Sequence, residues 1–222
     1  MAAIDDDKSL GRARLDFATD AGDFVLNSGN AAVVISNNVT IDTEQGNADN
    51  AGNILLGTND PTTAASAVSA DAVDFTLTLN AATTGATKAG GAISLGAVNN
   101  TAGGQYLDAL VVDAVAPGTD GIVRLNGSIA VDPQVAGDAI TISSDDVRLT
   151  AAADTAFTFD TNATAANQAG NVNLSAATIS ATNVGIDLTI DTSSTTDAQA
   201  GSVQLGVFGR SEERRVGKEC RL

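Results

Sequence analysis

The stretch FTFDTNATAANQAGNVNL, residues 157–174, contains two short segments in which every second residue is apolar. Successive side chains of a β-strand point to opposite faces, so each segment predicts a strand with one buried face. The first segment ends at Asp160 and the second follows Gly170, with a polar loop between them. The stretch therefore predicts a unit made of a strand, an acidic turn, a polar loop, a glycine and a second strand.

The same unit occurs five times along the chain. Its first strands are VTIDT, LTLNA, LVVDA, FTFDT and LTIDT, which begin at Val39, Leu77, Leu110, Phe157 and Leu188. Its second strands are GNILL, GAISL, GIVRL, GNVNL and GSVQL, which begin at Gly52, Gly91, Gly121, Gly170 and Gly201. The capping Asp or Asn precedes the glycine by 8 to 11 residues, and the copies start 31 to 47 residues apart. That spacing lies within the range of repeat architectures.

The longest interval between copies lies between Val112 and Phe159. It contains two further strand-like segments, SIAVD at residues 128–132 and AITIS at residues 139–143. We interpret them as a degenerate or inserted coil of the same repeat.

This pattern predicts an all-β fold. Short strands in regular repeats fit a β-solenoid, in which each coil pairs its backbone with the coils above and below. Aromatic residues make up 3% of the chain, as expected for a narrow interior filled by small aliphatic side chains. Tandem antiparallel β-sandwich repeats are the alternative fold. The segment GIVRLNGSIAVD, residues 121–132, favours that alternative locally, because Asn126-Gly127 between alternating strands is typical of a two-residue hairpin.

Composition restricts the function. Residues 1–209 contain 24 acidic and six basic residues and no His, Cys or Trp. Imidazole acid-base catalysis, cysteine nucleophiles and tetrahedral zinc sites are thus not expected in this part of the chain. A strongly negative surface repels nucleic acid and anionic lipid, so we expect no nucleic-acid partner. No run approaches the roughly 20 apolar residues of a membrane helix, so we expect no membrane insertion of this segment.

Catalysis is not expected either. Asp145 and Asp146 are adjacent carboxylates of the kind that glycoside cleavage uses. An enzyme acting on acidic polysaccharides also needs basic residues to hold its substrate, and the six in residues 1–209 are scattered. The sequence therefore favours a protein that is not an enzyme.

The last thirteen residues differ from the rest of the chain. Residues 210–222 contain five basic residues and the single cysteine, Cys220. The codons that encode Arg210 to Cys220 can be written so that they match a common sequencing adapter, so we interpret residues 210–222 as a non-native tail. We expect residues 24–209 to form the solenoid, and residues 1–23 to be poorly ordered or a partial N-terminal coil. The chain is then an internal fragment of a longer protein.

The acidic caps are the candidate binding site. If successive units stack in register, their carboxylates form a column that could bind Ca²⁺ through oxygen ligands. The alternative is that these residues satisfy backbone groups where strands end. The candidate calcium ligands are Asp42, Asp113, Asp160 and Asp191, with Asp49, Asp120 and Asp197 in the loops that follow. Apart from Ca²⁺ at these residues, we expect no cofactor.

The motifs VTIDT…AGNILLG, FTFDT…AGNVNLS and LTIDT…AGSVQLG resemble the repeats of giant bacterial surface proteins of the filamentous-haemagglutinin and autotransporter-adhesin type. The resemblance covers roughly residues 24–208. It implies a right-handed parallel β-helix in an exported, filamentous protein at the bacterial cell surface or outside the cell. The N-terminal secretion domain and the C-terminal translocator barrel of that family are not seen in this sequence.

The expected function follows from that resemblance and from the acidity. We expect a structural or adhesive repeat segment of a large exported bacterial surface protein. Its expected partners are host or neighbouring-cell glycans or proteins, or further copies of the chain that associate through the open ends of the solenoid. The alternative is a calcium-dependent surface-layer or extracellular matrix protein.

Overall fold

The computed structural model describes residues 15–26, 33–46, 49–56, 67–72, 74–99, 105–164, 168–194 and 200–209. The first 14 residues and the predicted tail at 210–222 lie outside the described residues. The predicted N-terminal partial coil, residues 1–23, is described from Leu15 onward and contains the first strand.

The described residues form strands and turns and contain no helix. Their strands are, in chain order, β1 (Leu15–Ala18), β2 (Phe24–Leu26), β3 (Val33–Ile35), β4 (Val39–Asp42), β5 (Ile54–Leu56), β6 (Val68–Ala70), β7 (Thr76–Asn80), β8 (Ile93–Leu95), β9 (Ala109–Asp113), β10 (Ile122–Leu125), β11 (Ile129–Ala130), β12 (Asp138–Ser143), β13 (Asp146–Leu149), β14 (Ala156–Asp160), β15 (Asn171–Ala181), β16 (Asp187–Asp191) and β17 (Val203–Phe208).

The chain winds around three faces. The first face stacks β1, β4, β7, β9, β12 and the N-terminal halves of β15 and β17. The second face stacks β2, β5, β8, β10, β13 and the C-terminal halves of β15 and β17. The third face holds β3 and β6, followed by β11, β14 and β16. Val98 joins these two groups by bridging to Val68 and to Ile129.

All pairings between these strands are parallel. The prediction of a β-solenoid is therefore confirmed, and the alternative of antiparallel sandwich repeats is wrong. Antiparallel contacts in the described part of the chain are single bridges, from Asp20 to Glu44 and from Ala70 to Gln105.

The predicted hairpin at residues 121–132 is also wrong. Asn126 and Gly127 lie at the corner between the second and third faces, and β10 and β11 do not pair with each other. The backbone N–H of Asn126 donates to Leu95 O of the coil below, at 2.8 Å. A Cβ on Gly127 would lie 2.8 Å from the backbone nitrogen of Ala97. The dipeptide therefore turns the chain onto a new face and packs against the previous coil.

Aliphatic columns that run along the stack form the core. The inward side chains of the second face are each at most 3% exposed: Ile54, Ile93, Val123, Val147 and Ile179. Leu77, Leu110, Ile140 and Val172 form the matching column of the first face. Full burial of such a side chain contributes about 1.5–3 kcal/mol. Parallel register places each one against its equivalents above and below, which explains the alternation in the sequence.

The repeat unit changes face partway along the stack. In its first three copies the unit runs from the first face to the second, as from β4 to β5. In the last two it runs from the third face to the first, as from β14 to β15. The shift arises in the long interval, where SIAVD and AITIS form β11 and β12 as predicted. There, β12 and β13 are joined through Ser144 and Asp145 without a loop.

Glycine is required where the unit's second strand begins. Gly22, Gly52, Gly91 and Gly121 stack at the corner before the second face. A Cβ on any of the last three would lie less than 3.0 Å from the carbonyl oxygen of the glycine below it. Gly201 has the same relation to Gly170 at the corner before the first face. The backbones of successive coils thus leave no room for a side chain at these corners.

We expect Gly91→Ala to lower the free energy of unfolding by about 2–3 kcal/mol, because a methyl group forced against backbone atoms cannot rotate away. Gly137→Ala is the control, since a Cβ there meets no atom within 4 Å, and its effect should stay within about 0.5 kcal/mol. Urea denaturation followed by circular dichroism measures both. Equal stability of the two variants would contradict this account of the glycine corners.

Candidate functional site

The four predicted calcium ligands do not form one column. On the first face Asp42 and Asp113 lie in register with Asn80 between them. On the third face Asp160 lies in register with Asp191. The prediction of a single column is wrong because the repeat unit changes face between its third and fourth copies.

Each capping residue closes a turn at the end of its strand. Its Oδ1 accepts a hydrogen bond from the backbone N–H two residues further on, so the cap satisfies a backbone donor that has left the ladder. These bonds are Glu44 to Asp42 (3.0 Å), Ala82 to Asn80 (3.1 Å), Val115 to Asp113 (3.1 Å), Asn162 to Asp160 (2.9 Å) and Ser193 to Asp191 (2.9 Å). The structure thus shows the backbone role that the sequence left as the alternative.

The two groups of caps differ in electrostatics. Asn80 Nδ2 donates to Asp42 Oδ2 at 3.2 Å, so an amide separates the carboxylates of Asp42 and Asp113. Asp160 and Asp191 instead lie on directly paired strands, which are about 4.8 Å apart. Like charges in such positions destabilise a sheet. We call Asp160 and Asp191 the third-face pair. Among the capping residues, this is the pair whose repulsion a bound cation would relieve.

Asp191 keeps its charge with help from Ser193. The Ser193 hydroxyl donates to Asp191 Oδ1 at 2.6 Å, and the Ser193 backbone N–H donates to the same oxygen. Both bonds favour the carboxylate, and they lower the pKa of Asp191 below its ordinary value, the hydroxyl more than the N–H.

The residue after each cap closes the base of the loop. Thr43, Thr161 and Thr192 donate through Oγ1 to the carbonyl oxygens of Gly52, Gly170 and Gly201, at 2.7, 2.8 and 3.0 Å. Each of these glycines returns a bond from its N–H to the threonine carbonyl. Ala81 and Ala114, which replace threonine in the other two copies, accept the glycine N–H bond at 2.8 Å. The sequence analysis did not predict this role of the threonines, although the recurring Asp-Thr pair could have indicated it.

Where the loop is missing, Ser144 bonds to the glycine of the coil below. Its hydroxyl donates to Gly121 O at 2.7 Å, and the side chain is fully buried. The corner before the second face, which glycines form in the lower coils, therefore continues between β12 and β13 without a loop.

The loop carboxylates also have partners. Lys88 Nζ lies 3.1 Å from Asp49 Oδ1. The carboxylate of Asp120 accepts the backbone N–H groups of Ala116 and Asp145, at 2.7 and 3.0 Å. Asp197 lies outside the described residues. Asp49 and Asp120 thus hold loops and corners in place.

Of the adjacent carboxylates at 145–146, the second is paired with an arginine. Arg148 Nε and the terminal nitrogen Nη2 both donate to the carboxylate of Asp146, a two-point contact that raises the pKa of the arginine. Asp145 is exposed, and its side chain lies on the corner before β13.

A row of mostly uncharged polar side chains follows the first face. We call it the first-face ladder, and define it as Thr40, Thr78, Thr141, Asn173 and Gln204, with Val111 between the second and third. The ladder residues of β4, β7, β9, β12 and β15 alternate with buried core residues, so they stand on the outer side of the sheet. Gln204 continues the row through its register with Asn173. Their spacing is that of the strands, about 4.8 Å.

In the part of the chain that the structure describes, no group of three or more His, Cys, Asp or Glu residues is placed to hold a metal ion. Calcium binding by the caps stays a prediction. None of the described segments is a helix with the length and apolarity needed to cross a membrane.

No protein-family profile, no curated protein and no solved structure matches this chain.

We expect Ser193→Ala to raise the pKa of Asp191 toward the ordinary aspartate value. A lowered pKa contributes stability above the unfolded-state pKa, and that contribution is lost as the pH falls through the folded-state pKa. The variant should therefore lose less stability on acidification, by a small amount because Asp191 is exposed. Carboxyl-carbon NMR titration measures the pKa directly. Thr189→Ala, on the same strand, is the control and should leave it unchanged.

If calcium binds at the caps, it should bind at the third-face pair. We then expect millimolar Ca²⁺ to raise the melting temperature of the parent chain and of Asp113→Asn equally, and to raise that of Asp191→Asn less. Each variant removes one carboxylate of the cap set, so the comparison separates site binding from general screening. Equal shifts in all three proteins, or no shift in any, would exclude this site.

Proposed function

We propose that this chain is a structural or adhesive repeat segment of a large exported bacterial surface protein, with an extracellular or cell-surface location. The observation that carries the proposal is the unbroken stack of parallel strands on the first face, from β1 to β17. Each coil there hydrogen-bonds to the next, so the outer side chains are held at fixed intervals along one line.

Stacking supports a mechanical role. In a solenoid each coil contacts only its neighbours, and length is added by adding coils. The core columns and the glycine corners fix the spacing of the described coils. The negative charge of the chain, −16 overall, keeps such a rod soluble and separate from other acidic surfaces.

The first-face ladder supports an adhesive role. Hydroxyl and amide groups both donate and accept hydrogen bonds, and they match the hydroxyl groups of sugars. The carboxylates of Asp42 and Asp113 flank the ladder and disfavour anionic ligands. We therefore propose neutral glycans, on host or neighbouring cells, as the first class of ligand to test, ahead of proteins.

We propose that this role is non-catalytic. The support is chemical: residues 1–209 contain neither His nor Cys, and the carboxylate of Asp146 is engaged by Arg148. The described carboxylates discussed above serve turns, loops and ion pairs.

A calcium-dependent surface-layer or matrix protein is the second candidate. The observation that favours it is the third-face pair, Asp160 and Asp191, whose carboxylates lie on paired strands. A shared cation there would stiffen the upper coils, since it would bind the folded stack and not the unfolded chain.

The adhesive role predicts that the chain binds neutral oligosaccharides on a glycan array. We expect the double variant Thr78→Asp, Thr141→Asp to weaken that binding by about tenfold or more, because it places charges in the ladder. Thr189→Asp, which puts the same group on the third face, is the control and should bind like the parent chain. An array without hits, or equal loss in both variants, would exclude the ladder as an adhesive surface.

A further inference from the structure

Two arginines meet on the outer side of the second face. Arg124 and Arg148 are far apart in the sequence, but they lie in direct register on β10 and β13. Each alternates with buried residues of its strand, so both side chains stand on the outer side of the sheet. Their Cα atoms are about 4.8 Å apart, the distance between paired strands. We call Arg124 and Arg148 the second-face arginine pair.

The pair lies inside the stack, with a described strand on either side. Below it β8 pairs with β10, and above it β15 pairs with β13. The register places Ser94 next to Arg124 and Ser180 next to Arg148. The row from Ser94 to Ser180 therefore consists of two arginines between two serines, and it contains no carboxylate.

Arg148 already holds one carboxylate. Its Nε and Nη2 both donate to Asp146, which stands two residues earlier on the same side of β13. Asp146 lies in register with Ile122 below and Thr178 above, which carry no charge. The two-point contact leaves Nη1 of Arg148 for another acceptor. It also shows how a guanidinium on this face binds a carboxylate.

Arg124 has no such partner. Within the part of the chain that the structure describes, its guanidinium makes no ion pair and no hydrogen bond. The other described basic residue, Lys88, is paired with Asp49. Like charges opposite each other on paired strands destabilise a sheet. An anion bound across the arginine pair would therefore relieve this repulsion.

The surrounding charge restricts what can bind. Arg124, Arg148 and Asp146 together carry a single net positive charge. Asp120 and Asp145 lie at the corner before these strands, and the overall charge of the chain is −16. A polyanion such as nucleic acid is repelled by such a surface. The pair therefore suits a ligand that carries one anionic group.

The neighbouring side chains suit a sugar. Thr178 is exposed, and Ser180 and Asn126 are partly exposed. Their hydroxyl and amide groups match the hydroxyl groups of sugars. Binding sites for peptides and proteins are instead centred on large apolar or aromatic anchors. The exposed large apolar side chains of the described residues include no neighbour of the pair. A sugar with a carboxylate therefore fits this surface better than an acidic peptide does.

We propose that the second-face arginine pair binds the carboxylate of an acidic sugar, such as a uronic acid at the end of a glycan. The sugar carboxylate accepts two N–H bonds from Arg124, as Asp146 does from Arg148, and a further bond from Nη1 of Arg148. This inference rests on the proposed adhesive function. It adds a second class of glycan, bound on a different face from the first-face ladder.

The first test is biolayer interferometry of the full chain on three immobilised versions of one oligosaccharide, which end in glucuronic acid, in glucose and in a sulfated glucose. We expect the version with glucuronic acid to bind about tenfold or more tightly than the version with glucose. Raising NaCl from about 0.05 M to about 0.5 M should reduce this preference, because salt screens the charges. Equal binding of all three versions, or tightest binding of the sulfated one, would overturn the carboxylate assignment.

The second test uses variants and the same glucuronic-acid oligosaccharide. Arg124→Gln should weaken binding by about tenfold or more, because it removes both the charge and the two-point contact. Arg124→Lys keeps the charge without the planar donor pair, so it should restore only part of the affinity. Lys88→Gln removes one positive charge elsewhere and is the matched control, which should bind like the parent chain. Thermal melting checks that the three variants are folded.

The variants also exclude a general effect of charge. Equal losses in Arg124→Gln and Lys88→Gln would overturn the site, because binding would then follow net charge alone. Unchanged binding by Arg124→Gln would overturn it as well.

The outcomes separate this inference from the proposed function. Binding of neutral oligosaccharides with no preference for glucuronic acid would overturn the arginine site and leave the adhesive ladder standing. The reverse result is a preference for glucuronic acid that depends on Arg124, persists in the double variant Thr78→Asp, Thr141→Asp, and occurs without any neutral glycan hit. That result would support the arginine site and exclude the ladder.

Discussion

The distance between successive coils is the constraint on which the structure depends. Parallel strands stand about 4.8 Å apart, and every corner must bring its backbone around at that spacing. Gly52, Gly91 and Gly121 show the consequence, because each would place a Cβ against the carbonyl oxygen of the glycine below. The buried columns, the caps and the loops are all compatible with this spacing, and the side chains beside the corners reinforce it through the bonds from Thr43, Thr161 and Ser144.

The strands were predictable because alternation is a local property. VTIDT, LTLNA and FTFDT each place apolar residues two apart, and each forms a strand. The face that a strand occupies was not predictable in the same way, since it depends on how many residues each corner uses. Asn126-Gly127 illustrates the limit: the same dipeptide suits a hairpin or a corner, and contact with the coil below decides between them.

The candidate site was predicted in part. The capping residues were found from sequence, and their alternative role at strand ends is present in all five copies. Their arrangement in two groups was missed, because the face shift between Asp113 and Asp160 leaves no mark in the motif itself. The first-face ladder was not predicted, because outward Thr, Asn and Gln residues are common on exposed strands. Only the register of the strands shows that these residues form one row.

The face shift has a consequence for how such a chain presents its loops. Bonds between the residue after the cap and the glycine close the base of each loop, through the threonine hydroxyl in three units and through the glycine N–H in all five, so the loops can differ in length above the same stack. The loops of the first three units leave the rod at one corner, and those of the last two leave it at another. The coils above the loopless corner at Ser144 therefore display their loops from a different edge of the rod than the coils below it. Successive stretches of one solenoid can therefore present loops in different directions, according to the corner at which each unit places its loop.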